Sequence, residues 1–507
     1  MRIVIIFICN FLIVSFLSAQ TVIPRCGVSI ADQDIFTSRL QENILAVEQN
    51  LYPRNNAVVY IPIRFHVVSN DNGSGGASNK SIMKMLCRLN ANYLPINIQF
   101  YIKDQFNTFS NSTVFNSPMS NAANTKMNSV RDKKALNIYV TGSAGEEGVL
   151  GFYNPSYDLV VLPKSEMNQN THTGSHEIGH FFSLRHTFYG WEGCPYKESE
   201  AGNPIESTTV PCSGLSIEWV DRSNCKTAAD LICDTPEDYN FGYGWNNCVP
   251  YNKIVQDIHR DTCNPMENNY MGYFFNCGDY IFTPQQQAVM LADLNSSKRN
   301  YLKSTFTPAA LEVGEEFIPL SPINGVTVDS KQPIFLSWQP VTGATRYLLE
   351  ISNSSVFTES RTTIVEVLTN SYTIPANTLF NTTYYYRITP YNEYATCNDP
   401  VKNDIAFFKA SDAAAVRQID GISNWVLAPS VLKKGEELTS MLSSSKSMQI
   451  QLRITNSLGI NTGYNTKMNV TSGESNWSIP TDDLTPGVYF MTLTNRNGML
   501  IRRFIIQ

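Results

Sequence analysis

Apolar positions along this chain follow two regimes that meet near residue 310. Before that point, Val58–Val68, Leu136–Val140 and Leu159–Leu162 are short apolar runs bounded by turn residues, and they predict strands. Thr283-Pro284-Gln285-Gln286 predicts a helix start, with threonine as N-cap, proline at the first helical position and glutamine completing a capping box. Strands that precede helices in this order fit an α/β layer with a helix packed beneath a sheet. Beyond residue 315 only strand patterns remain. Tyr347, Leu349 and Ile351 alternate with polar positions, and so do Tyr384, Tyr386 and Ile388, so each set lines one face of a strand. Phe335–Trp338 adds a tryptophan of the buried kind. After residue 425 the strands are again short, Asn497-Gly498 marks a hairpin turn, and Met499–Ile506 forms a last strand. The expected fold class is multidomain, with an α/β domain followed by two all-β, sandwich-like domains.

At 507 residues the chain has room for about three domains of ordinary size. Met1–Ala19 has a basic start, an apolar stretch and a small residue at a plausible cleavage point. Its shortness and Asn10 favour a signal peptide over a membrane anchor. No other segment is apolar enough to cross a bilayer, so no transmembrane segment is expected in the mature chain. Of eleven cysteines, Cys9 falls in the signal, and seven of the rest (Cys194, Cys212, Cys225, Cys233, Cys248, Cys263 and Cys277) crowd into one stretch. Export permits disulfides, and an odd count in that block implies a partner outside it or one free thiol. A net charge of −6 and a pI near 5.6 lack the basic footprint of a nucleic-acid-binding protein.

The chemistry is concentrated in one run. Four of the six histidines lie between His172 and His186. On a helix, His176 and His180 share a face and can present both imidazoles to one ion. Glu177 stands one residue round, near enough to handle a proton on a water held by that ion. His186 is too far along for the same straight helix, so the helix must end near Ser183 and the chain must turn back. Three neutral imidazoles with one open position describe a catalytic zinc site, since structural sites are usually closed by four protein ligands.

His176-Glu177-x-x-His180-x-x-Ser183-x-x-His186 resembles the metzincin metallopeptidase motif, with serine where that family has glycine. A positive φ is expected at Ser183, with strain on the order of 1 kcal/mol. Asn268-Asn269-Tyr270-Met271-Gly272-Tyr273 resembles the family's Met-turn, although Met271 taken singly reads as a core methionine. Leu231-Ile232-Cys233-Asp234-Thr235-Pro236, Phe282-Thr283-Pro284-Gln285 and Met290 narrow the resemblance to the pappalysin-type branch, as do Leu136–Val140, Gly151-Phe152-Tyr153 and Asp158–Leu162. The resemblance implies a zinc endopeptidase acting on proteins or peptides, with His176, His180 and His186 on Zn²⁺, Glu177 as general base and Tyr273 steadying the tetrahedral intermediate. It implies an extended substrate added to the outer strand of a sheet, and calcium near Asp234 and Thr235. Pro24-Arg25-Cys26-Gly27-Val28 resembles the cysteine switch of metzincin zymogens, in which a thiolate takes the fourth zinc position. A disulfide from Cys26 to Cys87, or to the odd cysteine of the block, is the alternative. On the switch reading, activation cleaves between Cys26 and about residue 57, with Arg54 a candidate point.

Residues 315–412 resemble a fibronectin type III domain and are read as a spacer. Leu484-Thr485-Pro486-Gly487-Val488-Tyr489 and the terminal Arg502–Gln507 strand resemble the C-terminal sorting domain that type IX secretion machinery recognises. The expected organisation is a signal peptide at 1–19, a pro-segment at 20–56, a metzincin-like peptidase domain at 57–304, the fibronectin-like domain at 315–412 and the sorting domain at 425–507. The product would be secreted or held at the cell surface. A non-catalytic adhesin built on a degenerate protease domain is the competing reading, and an intact Glu177 argues against it.

Overall fold

A computed structural model describes residues 25–51, 57–245, 248–312, 318–397, 405–411, 419–457, 459–495 and 498–507. The signal peptide at 1–19, Pro24, Arg54 and Asn497 of the hairpin turn lie outside the described residues. The chain divides into two compact units, 1–77 with 88–305 and 78–87 with 306–507.

The first unit is built on β1 (Arg25–Cys26), α1 (Ile30–Glu48), β2 (Val59–Ser69), α2 (Asn79–Tyr93, whose first residues group with the second unit), β3 (Ile98–Ile102), β4 (Asn107–Ser110), α3 (Ser112–Asn116), α4 (Asn121–Val130), β5 (Leu136–Thr141), β6 (Val149–Asn154), β7 (Leu159–Pro163), α5 (Thr173–Phe181), α6 (Glu198–Ala201) and α7 (Pro284–Asn295). The seven strands make one sheet in the order β1-β6-β7-β5-β2-β3, with β4 also paired to β2. The three apolar runs read from the sequence are strands β2, β5 and β7. The last two are buried at every position, as parallel strands covered on both faces must be. Strand β6 runs antiparallel to β7, and β1 adds to it in parallel, with Cys26 opposite Gly151.

Helix α7 starts as its sequence predicts: Thr283 caps it, Pro284 opens it, and Gln286 closes the capping box. Helix α1 begins on a second capping box, Ser29 with Asp32, and buries Phe36 and Leu40. Buried Arg299 joins Asp293 of α7 to Asp158 through charged hydrogen bonds of 2.8 and 2.9 Å. The same guanidinium donates to the carbonyl of Phe181, which satisfies an end carbonyl of α5. Disulfides join Cys194 to Cys212, Cys225 to Cys233 and Cys248 to Cys277, and Cys263 is a free thiol, one of the two outcomes the odd count left open. Cys26 is free as well, and Cys87 pairs with Cys397 within the second unit, so the alternative bridge from Cys26 to Cys87 does not form.

The second unit holds two β-sandwiches. Strands 319–321, 334–338 and 371–374 form one sheet, and strands 327–329, 346–352, 362–367, 383–391 and 406–411 form another. Trp338, Tyr347, Leu349, Ile351, Tyr384, Tyr386 and Ile388 meet in one core, so the expected alternation faces inward. From residue 419 onward a three-stranded and a five-stranded sheet enclose a separate core that includes Trp425, Tyr489 and Phe504.

Candidate metal centre

Helix α5 ends where the turn was expected. The N–H of Ser183 bonds to the carbonyl of His180, and that of Leu184 to the carbonyl of Gly179, which together form a Schellman stop. Ser183 has φ of +70°, the left-handed value predicted for it, and its hydroxyl accepts from Asn43 at 2.9 Å. Beyond the turn, His186 returns to α5, and its Nε2 stands 3.1 Å from that of His180. Met271 lies against the same helix at Gly179, where a Cβ would fall 2.4 Å from the methionine sulfur. A glycine inside a helix is unfavourable by roughly 1 kcal/mol relative to alanine, and here it makes room for that close approach.

The three histidines are buried. The ligand atoms of Cys26, His176, His180 and His186 all lie within 4.8 Å of one another, the one such group found among the described residues. Nδ1 of His176 meets the carbonyl of Tyr270 at 2.6 Å, and Nδ1 of His180 meets that of Leu184 at 2.8 Å. Nε2 of His176 is buried with no hydrogen-bond partner, an arrangement that is unfavourable unless something binds there. Three imidazole nitrogens and one sulfur form a donor set that zinc accepts, so the residues fit such an ion. Burial holds His176 down to about 4, and burial with neighbouring imidazoles holds His180 and His186 well below the usual range, so all three are neutral near pH 7.

Glu177 is fully buried, and burial pushes its carboxyl up to about 8. Its Oε2 lies 3.5 Å from Cys26 Sγ, while Oε1 has no partner. Burial and the charge of Glu177 push the Cys26 thiol upward, a balance that a cation at the centre would reverse. The Tyr273 hydroxyl accepts from Cys26 N at 3.0 Å and donates to Cys26 O at 3.2 Å, so it grips the backbone of β1. His172, the fourth histidine of the run, stays outside the centre. Its ring lies 4.3 Å from that of Tyr280, and its Nε2 is 2.9 Å from Arg88. A cavity of about 330 Å³ opens beside His176 and Glu177, lined by Leu150, Glu166, His172, Tyr270, Phe274 and Tyr280 among others.

Asp234 and Thr235, expected near calcium, face different partners. Both oxygens of Asp234 are taken by the start of α7, one by the Thr283 hydroxyl at 2.6 Å and one by Gln285 N at 2.7 Å. Thr235 turns instead to Asp230. Its single hydroxyl proton faces three acceptors: the two oxygens of Asp230 at 3.2 and 3.1 Å and the carbonyl of Ile232 at 2.6 Å. Glu218 is buried nearby with neither carboxylate oxygen hydrogen-bonded. Burial and the charges of Asp230 and Glu237 hold it well above the carboxylate range.

Gly179, Gln33, Glu192, Glu218 and Asp230 belong to these sites and were not singled out by the sequence reading. Gly179 carries a signal, being a glycine in a helix interior. Glu192, whose Oε1 lies 3.1 Å from Nδ1 of His186, is only six residues past it, whereas Gln33, 3.1 Å from the same nitrogen, and Glu218 reach their partners from distant segments that no local pattern connects.

Residues 438–507 match the family described as the secretion system C-terminal sorting domain. An extracellular metalloprotease of Neurospora crassa is 28% identical over 255 residues, covering 46% of this chain and 85% of the relative. An extracellular metalloprotease of Sordaria macrospora is 29% identical over 213 residues, covering 38% of this chain and 70% of the relative. The solved structure of a promirolysin mutant from Tannerella forsythia matches 55% of this chain and 96% of its own at 20% identity, with a TM-score of 0.36. The chain thus carries a sorting domain of the type IX kind and is similar to extracellular metalloproteases. It is destined for secretion or for attachment to the cell surface. No described helix is long and apolar enough to cross a membrane.

Proposed function

We propose that the chain is a secreted zinc endopeptidase, made latent by its own residues 20–56 and carried outward by type IX machinery that recognises the segment from about 425. The observation that carries this reading is the meeting of Nε2 of His176, His180 and His186 with Cys26 Sγ beside a buried carboxylate. Zinc, when bound by these donors, would supply a Lewis acid that polarises the scissile carbonyl and acidifies a water. Glu177 would accept the proton at its carboxylate and return it to the leaving amine. The Tyr273 hydroxyl, freed from the backbone of Cys26, would donate to the oxyanion of the tetrahedral intermediate. An extended peptide would lie along β6, the strand now paired with β1. Cys26 then acts as the fourth ligand of the latent form, and cleavage beyond it, with Arg54 the candidate point, would release the centre.

Calcium belongs to this reading at a shifted position. Asp230, Thr235 and the carbonyl of Ile232 offer oxygens alone, as a hard cation requires, and the unpaired Glu218 adds negative charge. Asp234 serves as a helix cap.

The deciding experiment is Glu177→Gln in the processed enzyme. It should reduce peptide cleavage by at least ~100-fold while zinc content stays near one per chain, because the ligands remain and only the general base is lost. Substantial cleavage by a clean preparation of this variant would remove the assignment.

A further inference from the structure

A histidine ligand must present one bare nitrogen to a metal, and the hydrogen bond at the other nitrogen decides which one it is. For His176 and His180 the choice is made by backbone carbonyls, which only accept, so both Nδ1 atoms carry the proton and both Nε2 atoms are bare. His186 is different. Its Nδ1 lies 3.1 Å from Oε1 of Glu192 and 3.1 Å from the amide nitrogen of Gln33. These neighbours favour opposite tautomers. The carboxylate accepts from a protonated Nδ1, whereas the amide would donate into a bare one and leave the proton on the ligand side.

The geometry favours the carboxylate. Gln33 makes its shorter bond, 2.7 Å, to Glu192 Oε1, and its own carbonyl accepts from His186 N at 2.9 Å. The other oxygen of Glu192 accepts from Gly190 N at 2.7 Å, which fixes the carboxylate in place. We propose that Glu192 is a positioning residue that holds His186 in the metal-binding tautomer and orientation, and that Gln33 of α1 is tied to the same carboxylate in the latent form. This inference rests on the zinc reading above. Outer hydrogen bonds of this type typically contribute ~10–100-fold to metal affinity.

The test uses the full chain and measures zinc affinity by competition with a chelator of known strength, beside the melting temperature of the zinc-free protein. Glu192→Ala should bind zinc ~10–100-fold more weakly while the zinc-free melting temperature stays close to wild type. Glu192→Gln, whose amide oxygen can still accept from Nδ1, should recover part of that loss. If the alanine variant does not fold, Glu192→Met keeps the volume, removes the acceptor and should show the same weakening. Wild-type zinc affinity without the carboxylate, or a glutamine variant no better than alanine, would overturn the positioning role. His186→Ala in parallel separates the two readings: if it too binds zinc like the wild type, the zinc site fails, and if it alone loses zinc, only the role of Glu192 fails.

Discussion

Two of the buried groups of titratable side chains in the first unit are built on opposite principles. At the histidine centre every imidazole is neutral, and the nitrogen turned away from the centre is anchored to Tyr270, Leu184 or Glu192. The second group is Glu218, Asp230, Glu237 and Asp238, all buried, with two oxygens on Glu218 unpaired and like charges raising one another. The first leaves one buried imidazole nitrogen unpaired without an ion, and its donors fit one. The second is an electrostatic conflict that only protons or a cation can relieve. Burial alone therefore does not mark a metal site; what the donors lack without the ion tells which kind of ion fits.

The largest effect that would sharpen this contrast is expected at Cys26. If the thiol closes the centre, Cys26→Ser removes the soft ligand while leaving α1 and its Asn43 and Gln33 contacts in place. The unprocessed Cys26→Ser chain should then cleave peptides at a level approaching that of the processed enzyme. A variant precursor as latent as the wild type, beside an active processed enzyme, would show that the histidine centre is closed by something other than this sulfur.

The imidazoles and the buried carboxylates should also respond to pH with opposite signs once metal is removed, with Glu177, raised to about 8, following the carboxylates. His176 titrates near 4 when folded and near 6.5 when unfolded, so its stabilisation is present above about 6.5 and lost as pH falls towards 4. Glu218 and Asp230 are raised above their unfolded values near 4, so the folded state binds more protons and its stability falls as pH rises beyond that point. Calcium should remove the part of the second trend that comes from Glu218 and Asp230 and leave the first. At neutral pH, saturating calcium would stabilise the unit by about 2–3 kcal/mol, a rise in melting temperature on the order of 5–10 °C. Scanning calorimetry in EGTA and in calcium, at several pH values, measures both. A melting temperature indifferent to calcium would mean the carboxylates are relieved by protons alone.

The histidine centre was far more legible in the sequence than the carboxylate group, because its geometry is local. His176 and His180 are one helical turn apart, the helix had to end near Ser183 to bring His186 back, and the positive φ there was implied by the resemblance to a motif with glycine at that position. The capping box at Thr283 and the apolar strand runs were readable for the same reason. The hydrogen bonds of Asp234 were not legible, because its oxygens hold the start of a helix about fifty residues later. Gln33 reaches His186 across a sequence separation of 153, and Glu218 meets Asp230 only through folding, so neither leaves a periodic trace.

The smallest effect tests whether the histidine centre is held by shape, as the carboxylate group is not. In an ordinary helix interior, Gly→Ala would stabilise by roughly 1 kcal/mol. At Gly179 the added Cβ would stand 2.4 Å from the sulfur of Met271, 3.3 Å from its Cε and 3.4 Å from a ring carbon of Phe282. Met271 is flexible in principle, but it is fully buried here and has little space to retreat into. Overpacking of this kind costs about 1–3 kcal/mol, enough to outweigh the propensity gain. Gly179→Ala should therefore destabilise the first unit by about 1–2 kcal/mol in urea unfolding. The sign should reverse in a Met271→Ala background, where the methyl fills space instead of competing for it. That reversal is the critical measurement, since it isolates the contact between α5 and the Met271 turn from any general intolerance of the helix. If Gly179→Ala stabilises the wild-type background as well, the turn beneath the histidines yields readily, and the centre owes its geometry to the hydrogen bonds at Nδ1 alone.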